Sequence, residues 1–481
     1  MYNVREYDIA VIGAGVVGAA IARELSKYEL GVAILDKESE ASAGTSKANS
    51  GIVHSGFDPE EGTLMAKLNA AANKMLDSLC AELSVPFVRN GSLVMAFDDE
   101  QLEHIGKLHR RGLANGIPGL RLLSTEETLK KEPAASPEVK GALWAETAGI
   151  IDPMLFTISL VENAVMNGAE CFFNFEVQSI SKEAGGYKII SPRGAVSAKC
   201  VINAAGVYAD KIHNMVSAPA FSITPSRGQY FVLDKTEAGI VGATLFPCPS
   251  KAGKGIIVAP TVHGNVILGP TAEDIYDRED MATTEEMLEQ VSAGVRLLVP
   301  KLSAWRNNIR IFAGLRAVSD MDDFIIGEAD GAANFIDVAG IKSPGLTAAP
   351  AIAVHIAALL AEKGLAMSPK KSFDPIVRRR LLVDMTPEEQ SALIKSNPLY
   401  GRVVCRCENI TEGDIADAIN RPAGATTMEG VKRRCRAGMG RCQSGFCGPK
   451  VQRILARELD KPLEQITLEK QGSYILTGRT K

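Results

Sequence analysis

The residues that decide the fold are 7–36, YDIAVIGAGVVGAAIARELSKYELGVAILD. The stretch opens with an apolar run at 7–12, which is typical of a strand buried in a parallel sheet. A glycine-rich turn and a helix pattern follow, and a second apolar run at 32–35 ends at Asp36. Strand, glycine turn, helix and strand in this order predict a βαβ unit, and an acid at its end is typical of dinucleotide binding.

Three glycines form the turn in the spacing G-x-G-x-x-G, and each has a separate steric task. Gly13 makes the tight turn, Gly15 lets the backbone approach a pyrophosphate, and Gly18 lets the helix pack on the strand. The helix N-terminus then faces the phosphates, and Asp36 can accept hydrogen bonds from a ribose. The glycine pattern alone is a weak signal, but with its flanking elements it predicts that the chain binds a dinucleotide.

Composition and charge exclude several classes of protein. The chain has 481 residues, a length that suggests about two to four domains. Its net charge of −4 gives no general attraction for nucleic acid or anionic lipid. The basic runs at 378–380 and 432–434 are short, and we expect them to lie on the solvated surface.

The N-terminus predicts no secretory signal, because no charged region followed by an apolar region precedes the first strand. The longest apolar run, 348–361, is too short to span a bilayer. Four single cysteines are dispersed before the C-terminal region, which argues against a disulfide framework. We therefore expect a cytoplasmic protein that does not insert into a membrane by itself.

The loop at 41–58, ASAGTSKANSGIVHSGFD, follows Asp36 and is rich in Gly, Ser, Thr and Asn. It places His54 between two small-residue turns. A long loop directly after the ribose-binding strand can lie along the pyrophosphate and ribityl chain of a flavin and carry a side chain to the ring. The loop therefore favours FAD over NAD.

Within this loop, GTSKANSGIVHSG at 44–56 resembles the FAD-dependent dehydrogenases of the D-amino-acid-oxidase-like superfamily. The nearest groups are glycerol-3-phosphate dehydrogenases and oxidases and L-2-hydroxyglutarate dehydrogenases. Four later segments match in the same order, and the resemblance covers about residues 1–365. They are VINAAGVYAD at 201–210, PSRGQY at 225–230, AGLR at 313–316 and GIKSPGLT at 340–347.

The resemblance implies an α/β fold, α+β overall, in which a Rossmann-like FAD domain is interleaved with a mixed-sheet substrate domain. The FAD domain would be assembled from about 1–85, 145–215 and 310–365, and the substrate domain from about 86–144 and 216–309. The strand pattern supports this, since 172–177 and 187–190 are predicted as strands of a small sheet. Besides Gly13, Gly15, Gly18 and Asp36, the residues implied to contact FAD are Thr45, Ser46, Asn49, Ser50, Val177, Gly206, Gly314, Gly345, Leu346 and Thr347.

Oxidation of a secondary alcohol needs a base, and an anionic substrate needs a cationic anchor. His54 is the candidate base because its loop lies beside the flavin in the family; a structural or flavin-bonding role is the alternative. His213 falls on a polar helical pattern and is expected at the surface. Arg316, in the position of the family's flavin-proximal arginine, is the first candidate anchor, and Lys254 in a glycine-rich loop is the second. Each cation has a surface ion pair as its alternative role.

Beyond the resemblance, a connecting segment is predicted at 366–400, with a helix that starts at Thr386. A cysteine-rich module follows at 401–460 and a tail at 461–481. The module holds five of the nine cysteines: Cys405, Cys407, Cys435, Cys442 and Cys447. Two thiols one residue apart and two separated by four residues can form two pairs, each serving one iron of a binuclear cluster. A structural zinc site is the alternative.

The module, CRCENITEGDIADAI through KRRCRAGMGRCQSGFC, resembles the bacterioferritin-associated-ferredoxin-like [2Fe-2S] domain. This resemblance implies a small α-helical domain whose ligands are Cys405, Cys407, Cys442 and Cys447. Cys435 departs from the family pattern and is expected to be a bystander.

The two resemblances together imply an enzyme, an FAD-dependent dehydrogenase that oxidises glycerol 3-phosphate to dihydroxyacetone phosphate. Electrons would leave through the [2Fe-2S] cluster to a second redox subunit, such as an NAD(P)-linked flavoprotein. Membrane association, where it occurs in the family, depends on partner subunits. The alternatives are a dehydrogenase of L-2-hydroxyglutarate or another 2-hydroxy acid, an amine or amino-acid dehydrogenase, and a non-catalytic electron relay.

Overall fold

The computed structural model describes residues 4–249 and 255–478. Two large sheets with their helices form most of this part of the chain, and a small helical module follows them. The predicted α/β class with a small α-helical C-terminal domain is therefore confirmed.

Strands are numbered in chain order. They are β1 (Val4–Ile12), β2 (Val32–Leu35), β3 (Ile52–Val53), β4 (Phe87–Val88), β5 (Ser92–Ala96), β6 (Leu120–Ser124), β7 (Gly141–Ala145), β8 (Gly149–Ile151), β9 (Glu170–Phe172), β10 (Ser179–Glu183), β11 (Gly186–Ser191), β12 (Gly194–Asn203), β13 (Ile223–Leu233), β14 (Thr244–Pro247), β15 (Ile257–Pro260), β16 (Val266–Gly269), β17 (Glu273–Asp274), β18 (Asn308–Ser319), β19 (Ile325–Glu328), β20 (Phe335–Ala339), β21 (Val403–Cys405) and β22 (Ile410–Thr411).

Helices are numbered in the same way. They are α1 (Val16–Leu25), α2 (Leu64–Asn73), α3 (Leu76–Glu82), α4 (Asp99–Ala114), α5 (Thr125–Lys131), α6 (Pro153–Met166), α7 (Ala209–His213), α8 (Glu285–Leu298), α9 (Gly345–Glu362), α10 (Pro387–Ser396), α11 (Glu412–Asn420), α12 (Met428–Cys435) and α13 (Gly448–Glu458).

The first sheet is built around the predicted βαβ unit. Its order is β10-β11-β12-β1-β2-β9, with β20 on β12 and β19 on β20, and β1 pairs in parallel with both β2 and β12. Alternate residues of β1 enter different cores: Ile9 and Val11 pack with the helices, whereas Ala10 and Ile12 pack on the opposite face. Burial on both faces explains why the strand is apolar throughout.

Helix α9 lies in the core of this first sheet, where it packs against α1 and α2. By length and composition it is apolar enough to cross a membrane, but 61% of its 18-residue window is buried inside the protein. The packing in the core therefore accounts for its apolar sequence.

The second sheet has the order β17-β13-β16-β15-β14-β5-β7-β6, and β18 pairs with β13. The antiparallel pair of β13 and β18 runs from Ile223 opposite Ser319 to Leu233 opposite Asn308. Helix α8 covers this sheet through contacts with β13 and β15. The long β13–β18 pair extends from the side of the protein where the C-terminal module lies to the cavity between the two sheets that is described below.

Two local predictions were wrong because each depends on a contact between distant residues. Strand β9 ends at Phe172, short of the predicted 172–177, because Asn174 has a φ of 53° and the next residue, Phe175, donates its N–H to Asp36 O. His213 is 1% exposed, and its Nδ1 lies 2.6 Å from Asp337 Oδ2. Neither contact can be read from a local pattern.

The C-terminal module consists of β21, β22 and helices α11, α12 and α13 around a core of its own. The connecting segment before it contains α10, which starts as predicted with Thr386 as a capping residue: Thr386 Oγ1 accepts the Glu389 N–H. The module also packs on the first sheet, through contacts of α12 with α6.

Buried ion pairs attach the module to the first sheet and the helices packed on it, which together are called the first-sheet domain below. Glu40 is 1% exposed and accepts hydrogen bonds from Thr427 N–H at 2.9 Å and Arg434 Nη1 at 2.5 Å. Burial alone would raise the pKa of Glu40, but Arg434 and Arg433 outweigh it and hold that pKa below its usual range. A second carboxylate, Glu162, is fully buried against Arg379.

The prediction that both basic runs lie on the solvated surface was therefore wrong for the run at 432–434 and for the middle residue of the run at 378–380, whose two outer residues are exposed. Arg433 and Arg434 are each 2% exposed, and the side chain of Arg379 is 5% exposed. Their partners, Glu40 and Glu162, come from the distant first-sheet domain, so the charges are buried in pairs.

Candidate functional site

A cavity of about 1050 Å³ lies between the two sheets. It brings together predicted site residues from five separate segments of the chain. Those that line it are Gly13, Gly15, Asp36, Thr45, Ser46, Asn49, Ser50, His54, Val177, Gly206, Gly314, Arg316, Gly345 and Leu346. Gly18 and Thr347 stand just behind its wall. Lys254, the second candidate anchor, lies outside the described residues.

The glycine turn at one end of the cavity has the geometry of a phosphate cradle. Gly13 has a φ of +109°, and a Cβ there would lie 2.3 Å from Ala204 O. A Cβ on Gly18 would lie 1.9 Å from Gly13 O, so both positions need glycine. Helix α1 begins at Val16 and points its N-terminus at the cavity, with the Val16 N–H donating to Ser46 Oγ at 2.9 Å.

Asp36 stands beside this turn at the end of β2. Its carboxylate accepts hydrogen bonds from the Ala14 N–H at 2.5 Å and the Glu38 N–H at 2.8 Å. Burial of the carboxylate raises the pKa of Asp36 to about 6, although both N–H donors act in the opposite direction. An acid at this position can accept hydrogen bonds from ribose hydroxyls.

The loop after Asp36 is fixed against the second sheet. Thr45 Oγ1 donates to Leu315 O on β18 at 2.6 Å, and Asn49 Nδ2 donates to Ser46 O at 2.9 Å. A Cβ on Gly314 would lie 2.1 Å from Ala48 O, so the strand and the loop are in close contact. The loop is therefore held along the cavity wall, where an extended cofactor would lie.

His54 is held at its backbone and at its ring. Its N–H donates to Thr347 Oγ1 at 2.9 Å, and its carbonyl accepts from Asn73 Nδ2 at 3.0 Å. The ring nitrogen Nε2 lies 3.0 Å from Ser343 Oγ, and the ring packs beside Phe246 with centroids 6.1 Å apart. Contacts of this kind fix the orientation of an imidazole at the cavity wall.

Arg316 projects from β18 into the same cavity. Its Nη2 donates to Thr271 O at 3.1 Å, and its guanidinium passes Gly228, where a Cβ would lie 2.6 Å from Nη2. Its other terminal nitrogen, Nη1, is buried and has no hydrogen-bond partner among residues 4–249 and 255–478. A buried donor without a partner is costly, and an anion in the cavity would satisfy it.

Three cavity residues were not identified individually from the sequence. Ser343 bonds His54, and Phe246 packs on it. Tyr230 lies beside Arg316; burial raises the pKa of Tyr230, and the charge of the guanidinium opposes that rise. Ser343 and Tyr230 both lie in segments that carry the family resemblance, so the sequence did contain a signal for them. Phe246 lies outside those segments, and the sequence gives no such signal for it.

The four predicted ligand cysteines lie in the C-terminal module, and the observed contacts cross between the two sequence pairs. Cys407 Sγ lies 3.7 Å from Cys442 Sγ. Burial, followed by the charge of Cys405 and its hydrogen bond, raises the pKa of Cys447 to about 12. In the part of the chain that the structure describes, no three metal-ligating side chains converge on one point. The Cys407–Cys442 contact brings together one thiol from each sequence pair, and a binuclear cluster takes two thiols on each iron.

The loop that carries Cys442 and Cys447 is shaped to hold negative charge. Gln443 and Ser444 both have positive φ values, 45° and 73°, so successive N–H groups point inward. The backbone N–H of Phe446, followed by the Cys407 thiol and the N–H groups of Ser444 and Gly445, lowers the pKa of Cys442 against the opposing effect of burial. These donors would stabilise a thiolate bound to iron.

Cys435 is separate from this loop. It is 1% exposed at the end of α12, and its Sγ donates to Val431 O at 3.3 Å within the same helix. Burial raises the pKa of Cys435 to about 12. These contacts agree with the bystander role expected from the sequence.

Two family models match the chain. The model described as FAD dependent oxidoreductase matches residues 8–359, and the BFD-like [2Fe-2S] binding domain matches residues 403–457. These matches confirm the predicted FAD cofactor and [2Fe-2S] cluster.

Relatives match over nearly their whole length. Glycerol 3-phosphate dehydrogenase from Caloramator mitchellensis is 50% identical over 477 residues, 99% of this chain and 99% of that protein. Glycerol 3-phosphate oxidase from Mycoplasma pneumoniae is 36% identical over 362 residues, 73% of this chain and 94% of that protein. A solved structure, dithionite-reduced L-alpha-glycerophosphate oxidase from Mycoplasma pneumoniae with FAD bound, has a TM-score of 0.75 and 35% identity, and covers 78% of this chain and 100% of that one.

Proposed function

Since the chain belongs to the FAD dependent oxidoreductase family and carries a BFD-like [2Fe-2S] domain, we propose that it oxidises glycerol 3-phosphate to dihydroxyacetone phosphate. The observation that carries the proposal is the buried, unpartnered Nη1 of Arg316 in the cavity that His54 also lines. The relatives named as glycerol 3-phosphate dehydrogenase and oxidase support the choice of substrate.

Arg316 serves as the anchor for the substrate phosphate. Its Nη2 already bonds Thr271 O, which fixes the plane of the guanidinium and leaves Nη1 to donate to an anionic oxygen. A guanidinium is permanently charged and holds phosphate in a planar fork. By holding the phosphate, Arg316 determines which end of the substrate points away from the flavin.

His54 serves as the base that takes the hydroxyl proton. An imidazole changes charge near neutral pH, and the Thr347 and Ser343 contacts hold the ring of His54 in one place. As the proton moves to His54, the C–H bond breaks and the carbonyl forms. When bound, FAD would supply the hydride acceptor for that carbon, and a [2Fe-2S] cluster held by the four cysteines would supply a one-electron acceptor.

Strand β18 supplies a short path between the two centres. Gly314 lines the cavity, and Arg310, four residues earlier on the same strand, donates from Nη1 to Gln443 Oε1 of the cysteine loop at 3.2 Å. Four residues of extended strand span roughly 13 Å. The cysteine loop thus lies against the strand that forms the cavity wall.

Electrons leave the chain for a second redox protein, which could be an NAD(P)-linked flavoprotein. A centre that passes electrons singly is suited to a protein acceptor. We place the enzyme in the cytoplasm, with any membrane association supplied by partner subunits. All nine cysteines lie in the described residues and none forms a disulfide there, which fits a reducing compartment.

An anaerobic substrate panel tests the proposal. The purified protein is mixed with glycerol 3-phosphate, L-2-hydroxyglutarate or glycine, and the oxidised flavin absorbance is followed. Glycerol 3-phosphate should bleach the flavin, and Arg316→Met should need at least tenfold more substrate for the same rate, whereas Arg306→Met at the exposed surface should not. Bleaching by 2-hydroxyglutarate or glycine alone would overturn the substrate assignment.

A further inference from the structure

The four ligand cysteines differ sharply in their exposure to solvent. Cys405 and Cys447 are 1% and 2% exposed, whereas Cys407 is exposed and Cys442 is intermediate. One edge of the centre, formed by Cys407 and Cys442, therefore faces the surface. This edge is therefore the more accessible side of the four cysteines.

An aromatic side chain stands at this edge without an internal packing role. Phe446 precedes Cys447, the N-cap of α13, and is 84% exposed. A residue at this position commonly packs on the fourth helical residue as a hydrophobic staple. That residue, Val451, is buried, but Phe446 does not cover it. An exposed phenylalanine beside a redox centre is the kind of anchor that protein interfaces use.

The outer face of α13 continues from Phe446 as a basic stripe. Pro449, Lys450 and Arg453 follow at helical spacings of three, four and seven residues, and all are exposed. These four residues are called the exit face below. Residues 430–457 hold eight Lys and Arg side chains and no Asp or Glu.

Most of those eight cations are already paired. Arg434 bonds Glu40, Arg441 bonds Asp234, and Arg457 bonds Glu412. Within the ranges that the structure covers, Lys450 and Arg453 form no ion pair and lie in solvent. Of these eight cations, the two that form no ion pair thus both lie on the exit face.

We propose that the exit face is the docking site for the electron acceptor, and that the acceptor is a one-electron redox protein whose redox centre lies in an acidic surface. The inference rests on the proposed function only in assuming that electrons leave through the cluster. The positive face attracts the acidic partner and orients it, and Phe446 supplies the short-range contact. Each encounter moves one electron from the reduced cluster to the oxidised partner, so two encounters follow each substrate oxidised.

The test uses the complete protein with both cofactors, reduced with dithionite so that the substrate assignment does not enter. The reduced protein is mixed anaerobically with plastocyanin, an acidic one-electron acceptor, or with cytochrome c, a basic one. Cluster oxidation is followed by absorbance at several ionic strengths. The rate with plastocyanin should fall as salt rises, and the rate with cytochrome c should not.

Charge reversal provides the matched comparison. K450E/R453E should slow the reaction with plastocyanin by about tenfold or more at low salt and speed the reaction with cytochrome c. Phe446→Ala should lower the rate of the reaction with plastocyanin without changing the salt dependence of that rate. The control K182E/R193E makes the same change in charge at exposed positions of the first-sheet domain and should leave both rates within about twofold.

Iron content and the cluster spectrum of each variant are checked first, so that a lost cluster is not mistaken for lost docking. A plastocyanin rate that is insensitive to salt and to K450E/R453E would overturn the proposal. The proposal would also be overturned if K450E/R453E lost binding to phosphatidylglycerol vesicles while its plastocyanin kinetics stayed unchanged. The exit face would then bind a membrane surface and not a protein. If glycerol 3-phosphate fails to bleach the flavin while these kinetics are as predicted, the proposed substrate is rejected and the assignment of the exit face is retained.

Discussion

The central cavity and the cysteine module hold their redox groups in opposite ways. The cavity gathers residues from segments as far apart as Gly13 and Gly345 and encloses about 1050 Å³ between two sheets. The module takes all four predicted ligands from the short stretch between Cys405 and Cys447, and Cys407 reaches the surface. This difference supports the proposal that the cavity admits a small substrate and that the cysteine module meets a protein acceptor.

The largest effect is expected from removing a ligand at the exposed edge. Cys407→Ser should abolish the [2Fe-2S] cluster and leave the flavin bound, because the cavity shares no residue with the cysteine loop. Iron and sulfide analysis with the flavin-to-protein ratio measures this. The control Cys435→Ser should retain full iron, since its sulfur bonds Val431 O. Full iron in Cys407→Ser would remove this residue from the ligand set.

The next effect sharpens the role of the cavity. His54→Asn should slow flavin reduction by about 10²- to 10⁴-fold, because the proton then has no base, and should change substrate affinity little. Anaerobic rapid mixing over a range of substrate concentrations separates the two parameters. His109→Asn on helix α4 is the matched control and should match the wild type. An unchanged reduction rate in His54→Asn would assign the base elsewhere.

The residues that were predicted correctly are those whose task is local. The turn at Gly13, the N-terminus of α1 and Asp36 follow from one continuous stretch, and the same holds for the N-cap at Thr386. The buried state of Arg434 could not be predicted, because its partner Glu40 lies almost four hundred residues earlier and only the fold brings them together. Ser343 was missed as a partner of His54 for the same reason.

A smaller effect tests how the two regions are joined. Glu40→Gln removes the buried carboxylate that Arg434 Nη1 bonds and should destabilise the attachment of the module by about 3 kcal/mol. The denaturant midpoint, followed at the cluster absorbance, reports it. Glu103→Gln removes an exposed pair with Lys107 and should cost less than about 1 kcal/mol. Equal midpoints for the two variants would show that the buried pair does not hold the module.

The smallest effect concerns pH in the cavity. Burial raises the pKa of Asp36 to about 6 in the free protein, so the acid is protonated below that pH and charged above it. Ribose hydroxyls donate to the charged form, so FAD affinity should be tightest above pH 6. It should weaken by at most about tenfold between pH 7 and pH 5. Titration of the apoprotein with FAD measures this, and Asp36→Asn should give a flat profile. The same profile in wild type and Asp36→Asn would exclude this carboxylate.

The most direct test of the account is anaerobic rapid mixing of the fully loaded protein with glycerol 3-phosphate, followed at flavin and cluster wavelengths together. The flavin should bleach first and the cluster should then be reduced, whereas in Cys407→Ser the flavin should bleach alone. A flavin that bleaches while the intact cluster stays oxidised would contradict the claim that electrons leave the cavity through the module.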